Sequence, residues 1–496
     1  MAAASGVHYS VLLTERGGLM IFGTNNSGQL GRGNRESQLL PALLGGVGPV
    51  VGDALEDVPG SGAMQAARAL DIVPWEHQVA EPWEQQDAEP HPFGGEALLA
   101  VAAGHAHTVC VTDGGAVYAA GSNLTGQLGL GDLEPHTLFA RVPLDAEVQM
   151  VACGCDHTLA LTRAREVWAW GSGNRGQNGQ VSTQNQSVPA HVAGMDGIVM
   201  VAAGNLHSVA IGADGRVWTW GDSSFGALGH DDTDEIPFPA PRVLGPPAFG
   251  GDAVVFVAAG TAYTAAVTVG GALWAWGAGD DGQLGLGDRA HQRVPVRITH
   301  AGPPPAWGGS PVRMVSCSGC RDASYTLAVT EDGAVWSWGS SSVGALGYAR
   351  FWPGNFDTRV FPTRIPQASF DGARIVFVCA GHGGANVAVC KHGLVHVWGS
   401  ARLHGLAYPQ YADAPTPLPA SVFPGARCGR SGGLSRQHTV AFMQGLHARL
   451  GALCLYNDSN NDVITCVVAQ GRVLNEPYKH MREGLRRLLA VDLRET

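Results

Sequence analysis

Three sets of residues in this 496-residue chain have the type and spacing for chemistry. Gly171, Gly173 and Gly176 spell G-x-G-x-x-G, the fingerprint that holds a dinucleotide pyrophosphate when a strand precedes it and a helix follows. Cys153-Gly-Cys155 and Cys317-Ser-Gly-Cys320 have the close thiol spacing of zinc or redox sites. His8, His107, His157, His207 and His438 recur along the chain and could line a channel as metal ligands.

Each set has to be weighed against the segments that carry it. HTLALTRAREVWAWGSGNRGQNG at His157 returns as HSVAIGADGRVWTWGDSSFGALG at His207, and precedes itself as HTVCVTDGGAVYAAGSNLTGQLG at His107. Further copies begin at His8, Tyr263, Tyr325 and, more weakly, Asn386. An eighth, HTVAFMQGLHARLG at His438, has lost its Trp-Gly. From the second copy to the sixth, fourteen residues separate the His or Tyr from the Gly of the Trp-Gly position. That spacing suits a strand, a tight turn and a second strand, with Asp113-Gly114, Asp214-Gly215 and Asp332-Gly333 at the turn. An apolar strand such as VAAG at Val101 or VACG at Val151 precedes each hairpin. Ahead of that stands a Pro-initiated outer strand at Pro143, Pro189 and Pro295. Four short strands per 50 to 60 residues predict a propeller blade.

The repeat absorbs most of the suspected chemistry. The G-x-G-x-x-G lies in a loop after a hairpin with no helix behind it, and GAGDDG at Gly277 repeats the match, so no nucleotide cofactor is expected. No second spaced C-x-x-C completes a zinc site; Cys153, Cys317, Cys379 and Cys428 fall at or beside the small residue of VAAG and read as buried hydrophobes. Tyr263, Tyr325 and Asn386 replace the histidines, which a metal ring would not tolerate. Each is expected to hydrogen-bond between strands of its own blade. Nine of thirteen tryptophans, including Trp168 and Trp170, occupy the Trp-x-Trp-Gly positions and are expected in the core. No catalytic set of Ser, His and Asp, or of paired carboxylates, assembles outside the repeat. A non-enzymatic protein is expected.

Composition agrees with a repeat of strands and turns. Gly reaches 70 residues and charged residues only 15%, while hydrophobic residues make up 45%. A net charge of −11 offers no footprint for nucleic acid. The uncharged run from Val254 to Gly279 is long enough for a membrane span, yet Gly270-Gly271 splits it into a hairpin. Ten cysteines without a secretory signal point to reduced thiols and to the cytoplasm or nucleus.

V-A-x-G-x-x-H-T, L-T-x-D-G, V-W-x-W-G and G-Q-L-G-x-G together resemble the regulator of chromosome condensation repeat. The resemblance runs from residue 6 to about 451. It implies an all-β, seven-bladed β-propeller, with eight blades as the alternative if the His438 hairpin counts. It also implies protein partners: the founding member exchanges nucleotide on the small GTPase Ran and binds histones. The wedge hairpin required for exchange has no counterpart, since QVSTQNQSVPAHVAG after the third hairpin is a plain linker. Gly-His-Ala-His-Thr and its kin also differ from the Gly-Trp-Arg-His-Thr motif of the related ultraviolet-B photoreceptor.

Recognition is then expected of what decorates the ring. The propeller is expected over 1–451, with an acidic, Pro-rich insertion at 45–95 that carries Trp75 and Trp83. Pro-rich loops hold Trp307 and Trp352. The extension 452–496 reads as a strand or hairpin followed by an amphipathic helix over 475–490, where Arg482 and Arg486 face away from the apolar stripe. These six residues are the candidate partner contacts of a scaffold or adaptor. The alternatives are an exchange factor for a Ran-like GTPase and a histone-binding chromatin regulator.

Overall fold

In the computed structural model the strands form seven four-stranded antiparallel sheets, each a simple meander. The structure describes residues 2–5, 9–13, 19–44, 93–232, 237–299, 306–318, 324–341, 344–348, 357–381, 384–391, 394–400, 411–417, 454–457 and 463–466. The first sheet holds β1 (Ala2–Ser5), β2 (Tyr9–Leu13), β3 (Leu19–Gly23) and β4 (Gln38–Leu44). The second holds β5 (Leu98–Ala103), β6 (His107–Thr112), β7 (Val117–Gly121) and β8 (His136–Arg141). The third holds β9 (Val148–Cys153), β10 (His157–Thr162), β11 (Val167–Gly171) and β12 (Gln186–His191). The fourth holds β13 (Ile198–Ala203), β14 (His207–Gly212), β15 (Val217–Asp222) and β16 (Pro237–Leu244). The fifth is β17 (Val254–Ala259), β18 (Tyr263–Thr268), β19 (Leu273–Gly277) and β20 (Gln292–Arg297). The sixth is β21 (Val312–Cys317), β22 (Tyr325–Thr330), β23 (Val335–Ser341) and β24 (Asp357–Arg364). The seventh is β25 (Ile375–Ala380), β26 (Ala385–Cys390), β27 (Val395–Ser400) and β28 (Tyr411–Pro417).

The first strand of each sheet packs on the first strand of the next, so the sheets stand side by side around an axis as propeller blades do. Six blades form one uninterrupted run from Leu98 to Pro417, rather than the seven or eight expected. The sheet β1–β4 stands apart in sequence, ahead of the acidic insertion, and packs through β1 and β2 on β5. No further four-stranded sheet occurs among the described residues, and the His438 hairpin lies outside them. Two short strands, β29 (Cys454–Asn457) and β30 (Val463–Cys466), pair in the C-terminal extension, whereas the expected helix at 475–490 falls outside the described residues. Among those residues the only helical pieces are 3-10 turns of three or four residues.

Burial grades from axis to rim. Every residue of β9 and β10 is buried, β11 nearly so, and no residue of β12 is. Inner strands are covered on both faces by neighbouring sheets, which is why they read as continuous apolar runs rather than alternating ones. The membrane-like stretch from Val254 resolves in the same way, into β17, β18 and β19. The fourteen-residue spacing is the hairpin register itself: His157 pairs with Gly171, and His207 with Gly221. In the first copy it is Tyr9, not His8, that pairs with Gly23. The turn needs one left-handed residue, supplied by Gly215 (φ 80°) in the fourth sheet but by Arg165 (φ 68°) in the third.

The Pro-bearing segments need reassignment. They follow the hairpin of their own sheet as its outermost strand rather than preceding the inner strand of the next. β12 begins at Gln186 with Pro189 inside it, β20 at Gln292 with Pro295 inside it, and Pro143 lies beyond the end of β8. Both internal prolines sit where the register slips, between the Ala169 and Gly171 pairs and between the Ala275 and Gly277 pairs. A residue without an N–H costs little at a bulged edge, and it blunts that edge against pairing with another chain.

A glycine (Gly104, Gly154, Gly204 or Gly260) closes the inner strand of the second to fifth sheets where two sheets come nearest. A Cβ on Gly154 would collide with the His157 ring and stand 2.5 Å from the Gly204 carbonyl oxygen of the next sheet. Gly154→Ala should therefore cost on the order of 1–3 kcal/mol, the range of overpacked core sites. Urea unfolding would show it as a lower midpoint, against little change for Gly245→Ala, where the backbone is extended (φ −85°) and a Cβ would meet only Pro247 Cδ at 3.5 Å.

Candidate interaction surface

The repeated His, Thr and Trp meet across the gaps between sheets, not within one blade. His107 Nε2 lies 3.1 Å from Thr158 Oγ1 of the following sheet, His157 Nε2 3.0 Å from Ser208 Oγ, and His207 Nε2 3.0 Å from Thr264 Oγ1. Each of these hydroxyls donates back to a loop carbonyl of the earlier sheet: Thr158 to Gln127 (2.9 Å), Ser208 to Gln177 (2.8 Å) and Thr264 to Ala227 (3.0 Å). The same three carbonyls accept the indole N–H of Trp170, Trp220 and Trp276 at 2.9–3.0 Å. Because the hydroxyl proton is committed to a carbonyl, the imidazole must donate from Nε2, which fixes its tautomer.

Substituted positions keep the clamp, although Asn386 stands at the threonine and not the histidine position, since it is Ala385 that pairs with Gly399. Tyr263 Oη donates to the Tyr325 carbonyl at 2.6 Å, and Tyr325 Oη to Asn386 Oδ1 at 2.8 Å. Asn386 Nδ2 and Trp398 Nε1 both reach the Ala345 carbonyl at 2.8 Å, the amide replacing the threonine hydroxyl. The missed signal was the residue after each ring position: Thr108, Thr158, Ser208, Thr264 and Thr326 all bear a hydroxyl.

Burial keeps these imidazoles neutral. It lowers the pKa of His107 to about 4, with Asp156 pulling the other way, that of His157 to about 3, and that of His207 to about 4. Burial likewise pushes the Cys317 thiol up to about 12. Cys153, Cys317 and Cys379 are buried in the hydrophobic core. Cys320 and Cys428 lie outside the described residues. Among those residues no three His, Cys, Asp or Glu side chains are grouped to hold a metal. After Gly176 the chain turns through Gln177, Asn178 and Gly179 in a loop, where a Cβ on Gly176 would come within 2.6 Å of Pro239.

Of the six candidate contact residues the structure places one. Trp307 is buried, its ring 5.4 Å from Trp336 and 5.9 Å from Trp338, so it is a core residue rather than a free contact. It caps the sixth sheet as Phe249 caps the fifth and Phe370 the seventh. Trp75, Trp83, Trp352, Arg482 and Arg486 lie outside the described residues.

What does stand exposed is apolar and was not foreseen. Alternate connections of a meander fall at the same end of the sheet, so the β5–β6 and β7–β8 loops share a face with their counterparts in the other sheets. Its inner ring is tied by backbone bonds from His105 N to Cys155 O, Cys155 N to Asn205 O and Asn205 N to Gly260 O, at 3.2, 3.2 and 3.3 Å. Its outer loops present Leu124 (71% exposed), Leu133, Val181 (90% exposed) and Phe225. Phe225 adopts a left-handed φ of 60°, uncommon for an aromatic residue, and its ring lies 4.8 Å from that of His291, tilted by 52°. No alternation rule marks such residues, because they sit in irregular loops.

With the geometry in place, the class is a β-propeller built from clamped four-stranded sheets. The RCC1-like domain family matches residues 1–381, and the chain belongs to that family. Over 170 residues it is 35% identical to the human E3 ubiquitin-protein ligase HERC2, a match spanning 34% of this chain and 3% of that protein. Over 154 residues it is 35% identical to the Arabidopsis thaliana ultraviolet-B receptor UVR8, spanning 31% of this chain and 30% of the receptor. The matched region is thus less than a third of either relative. Human WBSCR16 superposes with a TM-score of 0.60 at 21% identity, over 81% of this chain and 93% of that one. Prp20p of Saccharomyces cerevisiae, described with its binding to Gsp1p and histones, gives 0.58 at 21% identity, over 76% and 80%. Among the described residues no helix is long and apolar enough to cross a membrane.

The clamp has a pH signature. The folded pKa values lie below the histidine reference of about 6.5, so the stabilisation is complete above that pH and is lost as pH falls toward 4, where the unfolded chain takes up protons that the fold rejects. Each histidine should contribute a slope of at most about 1.4 kcal/mol per pH unit. Urea unfolding at pH 7, 6 and 5 should show a falling midpoint, and a flat profile would contradict the clamp. Trp307→Ala should destabilise by roughly 3–5 kcal/mol, the cost of a buried aromatic, and lower the melting temperature accordingly.

Proposed function

We propose that this chain is a non-enzymatic propeller scaffold that recognises a protein partner through one face and the segments inserted around it. The observation that carries this reading is the separation of roles. The recurrent polar residues of the repeat are consumed by clamps between sheets. Leu124, Leu133, Val181 and Phe225 meanwhile stand in solvent on loops of a single face. Exposed aliphatic and aromatic side chains on a rigid frame suit a protein interface better than a small-molecule site. The acidic insertion at 45–95 adds charge suited to a basic partner surface. A cytoplasmic or nuclear home fits the reduced cysteines.

Affinity purification from the native cell should return a stable partner. Leu124→Asp with Phe225→Asp should reduce its recovery at least tenfold while leaving the melting temperature within a few degrees of wild type. Full recovery with both changes would place the interface elsewhere. Deletion of 45–95 or of 475–496 then tests the two remaining candidate regions separately.

The second reading is nucleotide exchange on a small GTPase, favoured by the superposition with Prp20p, whose binding to Gsp1p is described. It predicts accelerated release of labelled GDP from a Ran-type GTPase by catalytic amounts of this protein. The scaffold reading predicts a rate indistinguishable from that of the GTPase alone.

A further inference from the structure

Exposed apolar side chains are unevenly spread over this propeller. Among the described residues, five of the exposed large hydrophobics lie on outermost strands. The four on loops, Leu124, Leu133, Val181 and Phe225, all lie at one end of the sheets. The loops at that end form a continuous band. A Cβ on Gly126 would stand 2.6 Å from Ser187 Cα, one on Gly176 2.6 Å from Pro239 Cα, and one on Gly226 2.5 Å from Arg293 Cα. Each loop thus lies against the outer strand of the next sheet, from the second sheet to the fifth.

Phe225 owes its place in this band to a lost cap. In the first sheet the Ser27 amide donates to Gln29 Oε1 at 3.0 Å. The Thr125, Arg175 and Asp281 amides donate to Gln127, Gln177 and Gln283 in the same way, each at 2.9 Å. Ala227 stands at that place in the fourth sheet and cannot accept the bond, and there the backbone turns left-handed at Phe225. The Phe225 ring is 40% exposed and lies beside His291, whose Nε2 is 3.5 Å from Asp280 Oδ1. Acid surrounds these apolar residues. In the second to fifth sheets the described loops at this end are 104–106, 122–135, 154–156, 172–185, 204–206, 223–232, 260–262 and 278–291. They hold eight carboxylates and two arginines. Asp132, Glu134, Asp231, Asp280 and Asp288 are exposed. Of the cations nearby, Arg175 lies 3.8 Å from Asp222, and Arg242 is spent on Asp232. The first sheet differs, its loop bearing Arg32 and Arg35 with Glu36. At the opposite end of the sheets Arg163 pairs with Glu147 and Arg216 with Asp214.

We infer that this band docks a linear segment of a partner protein in which lysine or arginine alternates with aliphatic residues. The inference rests on the scaffold reading and adds the chemistry of the partner. Exposed carboxylates set among exposed aliphatic side chains complement that pattern, whereas a wholly apolar partner would bury the acids unanswered. A band that runs over four neighbouring sheets suits an extended chain better than a compact ligand held at one point. Phe225, with the His291–Asp280 pair beside it, offers a ring face and a nearby negative charge to one cation of the segment. Arg32 and Arg35 mark where the acidic stretch stops and repel a cation placed beyond it.

The test titrates the whole protein into a fluorescent peptide that alternates arginine and leucine, read by anisotropy at low and high sodium chloride. Peptides alternating glutamate with leucine, and arginine with serine, serve as comparisons. Wild type should bind the arginine–leucine peptide at least tenfold tighter than either, and more weakly as salt rises. Glu134→Gln with Asp231→Asn and Asp280→Asn should weaken it at least tenfold and flatten the salt dependence. Asp145→Asn with Glu166→Gln and Asp196→Asn, which neutralises three exposed acids at the opposite end, should leave it unchanged. Leu124→Gln with Phe225→Gln should weaken it while keeping the salt dependence. Binding that does not distinguish the arginine–leucine peptide from either comparison, or equal losses from the two acid triples, overturns the inference. The cellular partner separates this failure from that of the scaffold reading. Recovery lost with Leu124→Asp and Phe225→Asp but kept by the Glu134, Asp231 and Asp280 triple rejects the basic segment and retains the scaffold. Recovery that survives both sets of changes rejects both.

Discussion

A single backbone carbonyl between neighbouring sheets is the constraint on which this fold depends. The Gln127 oxygen accepts the Thr158 hydroxyl and the Trp170 indole from the following sheet, and Thr158 in turn receives His107. Three side chains from two sheets are spent on one junction, so the sheets cannot slide past each other without stranding buried polar groups. Similar arrangements at Gln177, Ala227, Gln283 and Ala345 make the angle between sheets a repeated chemical fact rather than a consequence of greasy packing. Apolar burial drives the sheets together, and the clamp decides where they stop.

That division explains why function is hard to find in the repeats. The histidines are neutral, dry and single in tautomer, which suits a structural donor and not an acid, a base or a ligand open to solvent. The second tryptophan of each Trp-x-Trp pair is an indole donor, whereas Trp168, Trp274 and Trp336 have a buried Nε1 without an acceptor and serve by packing. Chemistry therefore has to come from positions where the pattern fails. Phe225 with its left-handed backbone is one. Trp307 is a warning about the opposite inference. It lies outside the repeat, yet it fills the slot over the sixth sheet that phenylalanines fill elsewhere.

The hairpins, their fourteen-residue register and the all-β propeller were legible because each repeat states the same local rule several times over. Apolar strands, a turn residue and Trp-Gly are short-range signals, and repetition averages out the departures. The outer strands were misplaced by one position in the blade order, because a Pro-bearing segment between two hairpins has no local mark saying which sheet it joins. His8 was likewise one residue out of register, since Tyr9 beside it can make the same bond.

By itself the sequence determined strand, turn and family, since these depend on contacts within about twenty residues along the chain. Only the tertiary structure decided which sheet each polar side chain would serve. His107 and Thr158 are 51 residues apart and meet only after both hairpins have formed and packed. It also decided which loop residues remain in water. Those outcomes depend on how neighbouring sheets abut, and no local pattern carries that information.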